Sequence, residues 1–254
     1  MAISTKPTVV FITGAGRGIG KGLTAVYLIR PNHVVIGSVR DKSSLNHDEL
    51  KKLPTAEGSR LILVSIDSSE LDDPAKALEH VQSEGITYID IVIANAGICP
   101  SPGPFQNVPI KDVLEGFKVN PAAPIQLYHA TSPFLEKSTQ PVWLSISSIV
   151  GSIKNAEQYN APFIFAYGLS KSSLNFFTMA IHAAHPNWIS YAVHPGSLVQ
   201  TDMGNAGARM QGLEKAPVTL EDSCSSIIVS IDKATRAETS GRFIDLASDT
   251  EIPW

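Results

Sequence analysis

Thr8-Val9-Val10-Phe11-Ile12-Thr13-Gly14-Ala15-Gly16-Arg17-Gly18-Ile19-Gly20 is a β-branched run that breaks into a turn of four glycines and then into a helical pattern. A glycine turn at such a junction lets the backbone approach a pyrophosphate closely. The helix start behind it offers free N–H groups and a partial positive charge. The spacing is Gly14-x-x-x-Gly18-x-Gly20, with Gly16 as an extra, rather than the simpler G-x-G-x-x-G. Gly14, Gly18, Ile19 and Gly20 are therefore the first candidates for holding a dinucleotide.

Working outward from this turn, similar apolar runs recur at 33–39, 60–65, 89–94, 141–146, 188–193 and 242–246. They are nearly continuous rather than alternating, as strands buried on both faces are. Helical patterns fall between them at 20–30, 74–84, 110–135, 167–184 and 218–233. Strands alternating with helices imply right-handed βαβ units. The expected fold is a single-domain α/β structure over residues 1–254. It is a doubly wound Rossmann fold, a parallel sheet of about seven strands with helices on both faces. Residues 201–216, with Met203, Met210 and several glycines, read as a loop that forms a mobile substrate lid.

The 254 residues are 43% apolar and 17% charged, which excludes intrinsic disorder. A formal net charge of -4 gives no electrostatic reason to expect a nucleic-acid or anionic-membrane partner. No apolar stretch is long enough to span a bilayer, and residues 1–8 lack the apolar run of a secretory leader. Two cysteines, Cys99 and Cys224, fit a reducing compartment, so a cytoplasmic location is expected. The seven histidines show no His-x-x-x-His pair with a carboxylate partner, and no metal site is expected.

The second run ends Ser38-Val39-Arg40-Asp41. A bare ribose calls for a carboxylate near this point, and a 2′-phosphate calls for arginine. Arg40 at the strand end and Arg17 inside the glycine turn would converge on one phosphate, which favours NADPH over NADH. Asp41 complicates this, since it could accept from the ribose hydroxyls instead.

Tyr167-Gly168-Leu169-Ser170-Lys171 places a tyrosine and a lysine four residues apart, on one face of a helix. A free phenol has a pKa of about 10, and a neighbouring cation moves it down toward the range useful for proton transfer. Alone, such a pair is an ordinary feature of an amphipathic helix. Here it stands in order with the glycine turn, Asn95-Ala96-Gly97, Asn120, Ser147-Ser148 and Pro195-Gly196. With these residues the chain resembles the short-chain dehydrogenase/reductase family of the classical type over essentially its whole length.

The resemblance implies that Tyr167 gives a proton to a substrate carbonyl oxygen and that Ser148 donates to the same oxygen. It implies that Lys171 tunes Tyr167 and holds the nicotinamide ribose, and that Asn120 holds a water linking Lys171 to solvent. Asn95, Ala96 and Gly97 would pack on the adenosine side of the cofactor, and Asp67 would meet the adenine. Pro195 and Gly196 would form the turn beneath the nicotinamide, with Val199 and Thr201 beyond it. Whether Leu198 or Val199 makes the nicotinamide contact is open, because this turn is about one residue longer than usual. His194 reads as a packing residue.

Ser148 and Tyr167 are 19 residues apart, more than the family's usual spacing, so residues 154–165 form an insertion over the site. Its Tyr159, Phe163 and Phe165 either line an apolar pocket or pack on themselves. Pro121 removes a backbone N–H beside Asn120 and reinforces a break in the helix there. The C-terminal stretch resembles sniffer-like carbonyl reductases, and the insertion resembles fungal norsolorinic acid ketoreductases. The expectation is an NADPH-dependent ketone or aldehyde reductase acting on a small-molecule carbonyl substrate. An NAD-dependent alcohol dehydrogenase and a non-catalytic cofactor sensor are the alternatives. The spare apolar positions of the helix at 167–184, and the resemblance, imply a homodimer or homotetramer.

Overall fold

The apolar runs build one mixed sheet in the order β3-β2-β1-β4-β5-β6-β7-β8. The computed structural model describes residues 6–41, 43 and 45–254; residues 1–5, part of the stretch read above for a leader, lie outside the described residues. Seven strands are parallel: β1 (Thr8–Ile12), β2 (His33–Val39), β3 (Arg60–Ser65), β4 (Ile91–Ala94), β5 (Val142–Ile146), β6 (Ile189–His194) and β7 (Phe243–Asp245). The two-residue β8 (Thr250–Glu251) adds an antiparallel edge against β7. β4, β5 and β6 are buried along their whole length, which is why their sequences do not alternate.

Alternate residues of each strand serve opposite layers. Val10, Ile12, Leu144, Tyr191 and Val193 pack against α1 (Gly18–Leu28) and α8 (Leu220–Lys233) through Leu23, Tyr27, Cys224 and Ile227. Val9, Phe11, Val92 and Trp143 pack the other way. There they meet Leu78 and Val81 of α3 (Asp73–Ser83), Leu127 and Phe134 of α5 (Ala123–Leu135), and Ile181 of α6 (Phe165–Ala184). The short α2 (Leu45–Leu50) follows β2. Strand order reverses between β1 and β4, and ligands of such sheets bind at the carboxyl ends beside that point.

Two expectations need correction. The helix expected at 110–135 is three pieces: α4 (Ile110–Phe117), a π-helical turn (Lys118–Ala122) and α5. Pro121 has no N–H to give to the preceding turn, and the Ala123 amide closes the wider ring to the Lys118 carbonyl. The expected loop 201–216 contains a helix, α7 (Asp202–Met210). Thr201 caps it by accepting from the Gly204 amide at 3.0 Å, and Asp202 complements the dipole in its first turn. These two devices offset the glycines that made the segment read as loop.

Candidate active site

The phosphate turn is held from both sides. On the β2 side, the Gly14 amide donates to Ser38 Oγ at 3.2 Å and the Ala15 amide to the Ser38 carbonyl at 2.8 Å. On the β4 side, Thr13 Oγ1 accepts from the amides of Asn95 and Ala96, both at 3.0 Å, and Asn95 Nδ2 returns a bond to the Thr13 carbonyl at 2.8 Å. A Cβ on Gly20 would lie 2.2 Å from the Gly14 carbonyl oxygen, so the start of α1 passes directly over the turn. Arg17 at the N-cap supplies no side-chain cap, which leaves the first amides of α1 for an anion. Ile19 is half-buried and packs into the α1–α8 layer.

The two arginines differ. Arg40 is exposed at the end of β2 and makes no ion pair among the described residues. Arg17 is engaged: its Nη1 donates to Asp202 Oδ2 at 2.9 Å. Asp41 turns back on its own loop and accepts from the amide and hydroxyl of Ser43, each at 2.7 Å. Asp67 accepts from the Ser69 amide at 2.8 Å. That bond holds its carboxyl below the usual range, with the charge of Arg40 adding to the effect.

On the catalytic side, Ser148 lies just past β5, near enough to Tyr167 for its hydroxyl to favour the phenolate. Ser147 faces the sheet–helix layer instead, donating to Asn175 Oδ1 at 2.6 Å, as strand alternation requires. Lys171 is buried, with its Nζ donating to the Ile146 carbonyl at 2.8 Å and lying 5.6 Å from the centre of the Tyr167 ring. Burial pushes Lys171 down to about 8. Burial pushes Tyr167 up, Cys99 acts in the same sense, and the nearby Ser148 hydroxyl opposes them. The expectation that the neighbouring cation lowers the tyrosine is therefore overturned for the free site, because desolvation is the larger effect.

Asn120 is buried in the π turn, and its side chain is fully employed. Oδ1 accepts from the Ile98 amide at 2.9 Å, and Nδ2 donates to the Ile98 carbonyl at 2.9 Å and to Ser170 Oγ at 2.7 Å. Ser170 Oγ in turn donates to the Tyr167 carbonyl at 2.7 Å. Asn120 thus ties the loop after β4 to the first turn of the helix that carries Tyr167. Residue 124, whose amide would close an α-helical ring to the Asn120 carbonyl, is a proline, so the regular ladder does not claim that carbonyl. Gly97 lies against both groups: a Cβ there would be 3.1 Å from Asn120 Oδ1 and 3.5 Å from Lys171 Nζ.

After β6, the Pro195 carbonyl accepts from Ser223 Oγ at 2.7 Å, and the chain turns at Gly196. Leu198 adopts φ +55° and its side chain reaches Gly207 of α7, whereas Val199 is buried and bridges to Val218. His194 is buried with neither ring nitrogen hydrogen-bonded among the described residues, and burial pushes it down to about 4, as suits a packing residue. The insertion is joined to the proline-rich loop opposite it. The Gly103 amide donates to the Phe163 carbonyl at 2.9 Å, and Phe105 meets Phe165 edge-on at 4.9 Å.

Three residues near the site escaped the sequence reading. Cys99 lies close enough to Tyr167 and Lys171 to couple to both once ionised, and burial pushes its thiol up to about 11. Ser170 looked like helix filler within the tyrosine–lysine motif. Asp202 is far from Arg17 in sequence, and only its place directly after Thr201, beside the turn, could have signalled the pairing.

The uncapped amides of α1, the glycine cradle beneath them and the open guanidinium of Arg40 fit the phosphates of a dinucleotide. Comparison with known proteins agrees. The short chain dehydrogenase family model matches residues 8–212. A short-chain dehydrogenase of Neurospora crassa is 46% identical over 253 residues, covering 98% of this chain and 99% of the relative. A norsolorinic acid ketoreductase of Dothistroma septosporum is 39% identical over 253 residues, covering 98% and 94%. Among solved structures, the NADPH bound carbonyl reductase from chicken fatty liver superposes with a TM-score of 0.84 at 26% identity, covering 98% of this chain and all of the other. The family model over residues 8–212, the near-full-length relatives and the shared fold agree, and the chain belongs to the short-chain dehydrogenase family of oxidoreductases.

Proposed function

We propose that this protein is an NADPH-dependent carbonyl reductase that reduces a ketone or aldehyde, with an aromatic, polyketide-type ketone as its substrate class. The observation that carries the chemistry is a buried Lys171, held on the Ile146 carbonyl, with its Nζ 5.6 Å from the centre of the Tyr167 ring. A bound reduced nicotinamide would supply a hydride to the carbonyl carbon. As the C=O π bond breaks, the oxygen gains negative charge, and the Tyr167 hydroxyl passes it a proton. Ser148 donates to the same oxygen and stabilises that charge. A tyrosine whose pKa is pushed up is present as the neutral phenol, the form reduction requires; oxidation would need the phenolate. The intact tyrosine, lysine and serine argue against a non-catalytic sensor.

Lys171 holds the ribose, and the Asn120 carbonyl is the acceptor left for a water that resupplies the proton. Gly14, Gly18, Ile19 and Gly20 hold the pyrophosphate, and Arg40 with Arg17 takes the 2′-phosphate. Asp67 and the Asn95-Ala96-Gly97 loop flank the adenosine half, and Pro195, Gly196, Val199 and Thr201 flank the nicotinamide. Arg40 standing open while Asp41 is folded onto Ser43 supports NADPH over NADH. The norsolorinic acid ketoreductase relatives and the NADPH bound carbonyl reductase support both substrate class and cofactor. A panel of fused-ring and small ketones, with NADPH oxidation followed optically, tests this reading. Turnover with NADH alone, or none on any carbonyl, would overturn it.

The working unit is a single domain, in the cytoplasm, paired through α4 and α6. Phe177 tucks against Tyr128 and Trp143, but Phe176 is 78% exposed, and Ile110 and Leu114 stand exposed on the neighbouring α4. Such an apolar face is buried when two copies meet. Sedimentation at micromolar concentration should show a dimer or tetramer, and a single 27.2 kDa species would refute this.

A further inference from the structure

Arg17 is the residue of the phosphate turn that reaches across to the far side of the crevice. It pairs with Asp202, the first residue of α7, at 2.9 Å. The contact is reinforced next door, where a Cβ on Gly18 would lie 3.1 Å from Thr201 Cγ2. The α7 segment is also a folded unit of its own: the Ala216 amide donates to Asn205 Oδ1 at 2.9 Å, and Gln200 Nε2 donates to the Ala216 carbonyl at 3.0 Å. It therefore meets the phosphate turn as a body, at Thr201 and Asp202.

The side chains of Arg17 and Asp202 are 69% and 82% exposed, so their attraction is weak and easily exchanged. A carboxylate in this place sits against the one cation within a turn whose uncapped helix amides are built to receive an anion. Asp202 also loses little when the pair opens, because the first turn of α7 favours a negative charge in either case.

We propose that Asp202 is a built-in stand-in anion. It occupies Arg17 and holds α7 over the crevice in the free protein, and a dinucleotide phosphate displaces it. Asp202 thereby sets cofactor affinity and links cofactor arrival to release of the α7 roof. This rests on the reading of Arg17 as a phosphate ligand.

Equilibrium binding of NADPH to wild type, Asp202→Asn, Arg17→Ala and the double variant tests it without any turnover. Asp202→Asn should bind NADPH about threefold to fivefold more tightly, the size of an exposed ion pair, and the gain should shrink as salt is raised. Arg17→Ala should bind about tenfold more weakly, and adding Asp202→Asn should then change nothing. If Arg17→Ala weakens binding but Asp202→Asn does not tighten it, the stand-in role falls and the phosphate reading survives. Tightening by Asp202→Asn that persists without Arg17 also overturns the stand-in role. If Arg17→Ala leaves NADPH affinity unchanged, the phosphate reading falls and the proposal with it. In the cofactor-free protein, trypsin should cut after Arg209 faster in Asp202→Asn than in wild type; equal rates would overturn the hold on α7.

Discussion

The floor of the site and its roof are built in opposite ways. Beneath Ser148 and Tyr167, β5 and α6 are joined by buried side-chain bonds. Thr178 Oγ1 donates to Ser145 Oγ at 2.7 Å, Trp143 Nε1 donates to the same oxygen at 3.0 Å, and Ser147 binds Asn175. Above them, the proline-rich loop, the insertion and α7 show exposed apolar side chains, Phe105, Phe163, Met203 and Met210 among them. Among the described residues, the proline-rich loop and the insertion are joined by one backbone bond and one ring contact, and α7 meets the phosphate turn through the Arg17–Asp202 pair. Buried polar networks specify one geometry, since a lost partner leaves a desolvated group unpaired. Exposed apolar surface specifies only shape. On the proposed function, the floor would fix the reaction and the roof would choose the substrate.

The sharpest way to break the floor alone is Tyr167→Phe. The ring and its packing remain, and only the hydroxyl that gives the proton is lost. Turnover should fall by about 10²–10⁴-fold while NADPH affinity is kept. Residual turnover above a few per cent would place the acid elsewhere.

A smaller effect separates Lys171 from Tyr167 by pH. Burial pushes Lys171 down to about 8 and pushes Tyr167 up, so the first group to change state as pH rises is the lysine. Reductive turnover should be level through neutrality and decline above about pH 8 as Lys171 loses its charge. Stability moves the other way. An unfolded lysine titrates near 10.4, so from about 8 up to that value the unfolded chain binds more protons and this group's contribution to stability rises with pH. Lys171→Arg, which stays charged, should lack the alkaline decline. If the decline persists there, the limb belongs to another group.

How much of this was readable in advance follows the same division. Near-continuous β-branched runs marked the seven parallel strands, with 33–39 and 60–65 matching β2 and β3 residue for residue. Tyr167 and Lys171 stood out because a four-residue spacing puts both on one helix face, whereas Ser148 was preferred to Ser147 on the family resemblance, and Ser147 is the one bound to Asn175. The π turn was half legible: Pro121 announced a break, but the Asn120–Ser170–Tyr167 relay depends on contacts 50 residues apart. α7 was hidden because its stability comes from a cap and a dipole contact rather than an apolar stripe. The direction of the Tyr167 shift was misjudged because sequence shows the nearby cation and does not show the burial.

Arg40→Ala probes the rim between floor and roof. A lost charge-assisted phosphate contact costs about 1.5–3 kcal/mol, so the Michaelis constant for NADPH should rise about tenfold or more while that for NADH barely moves. Equal losses with both cofactors would contradict a role at the 2′-phosphate.

The smallest effect belongs to the roof itself, and Phe105→Ala isolates it. The ring is exposed and meets Phe165 edge-on, with centroids 4.9 Å apart. Such a pair is worth about 0.5–1.5 kcal/mol, and an exposed ring adds little through burial, so the fold should lose no more than that. Phe105 touches neither Ser148 nor Lys171 through any described bond, and turnover of a small ketone should be unchanged. A fused-ring ketone large enough to reach the roof would lose an apolar wall there, and its Michaelis constant should rise about fivefold. Parallel losses for both ketones would mean that the roof positions Tyr167, through Phe165 two residues before it at the start of α6. The division between a floor that reacts and a roof that selects would then fail at this contact.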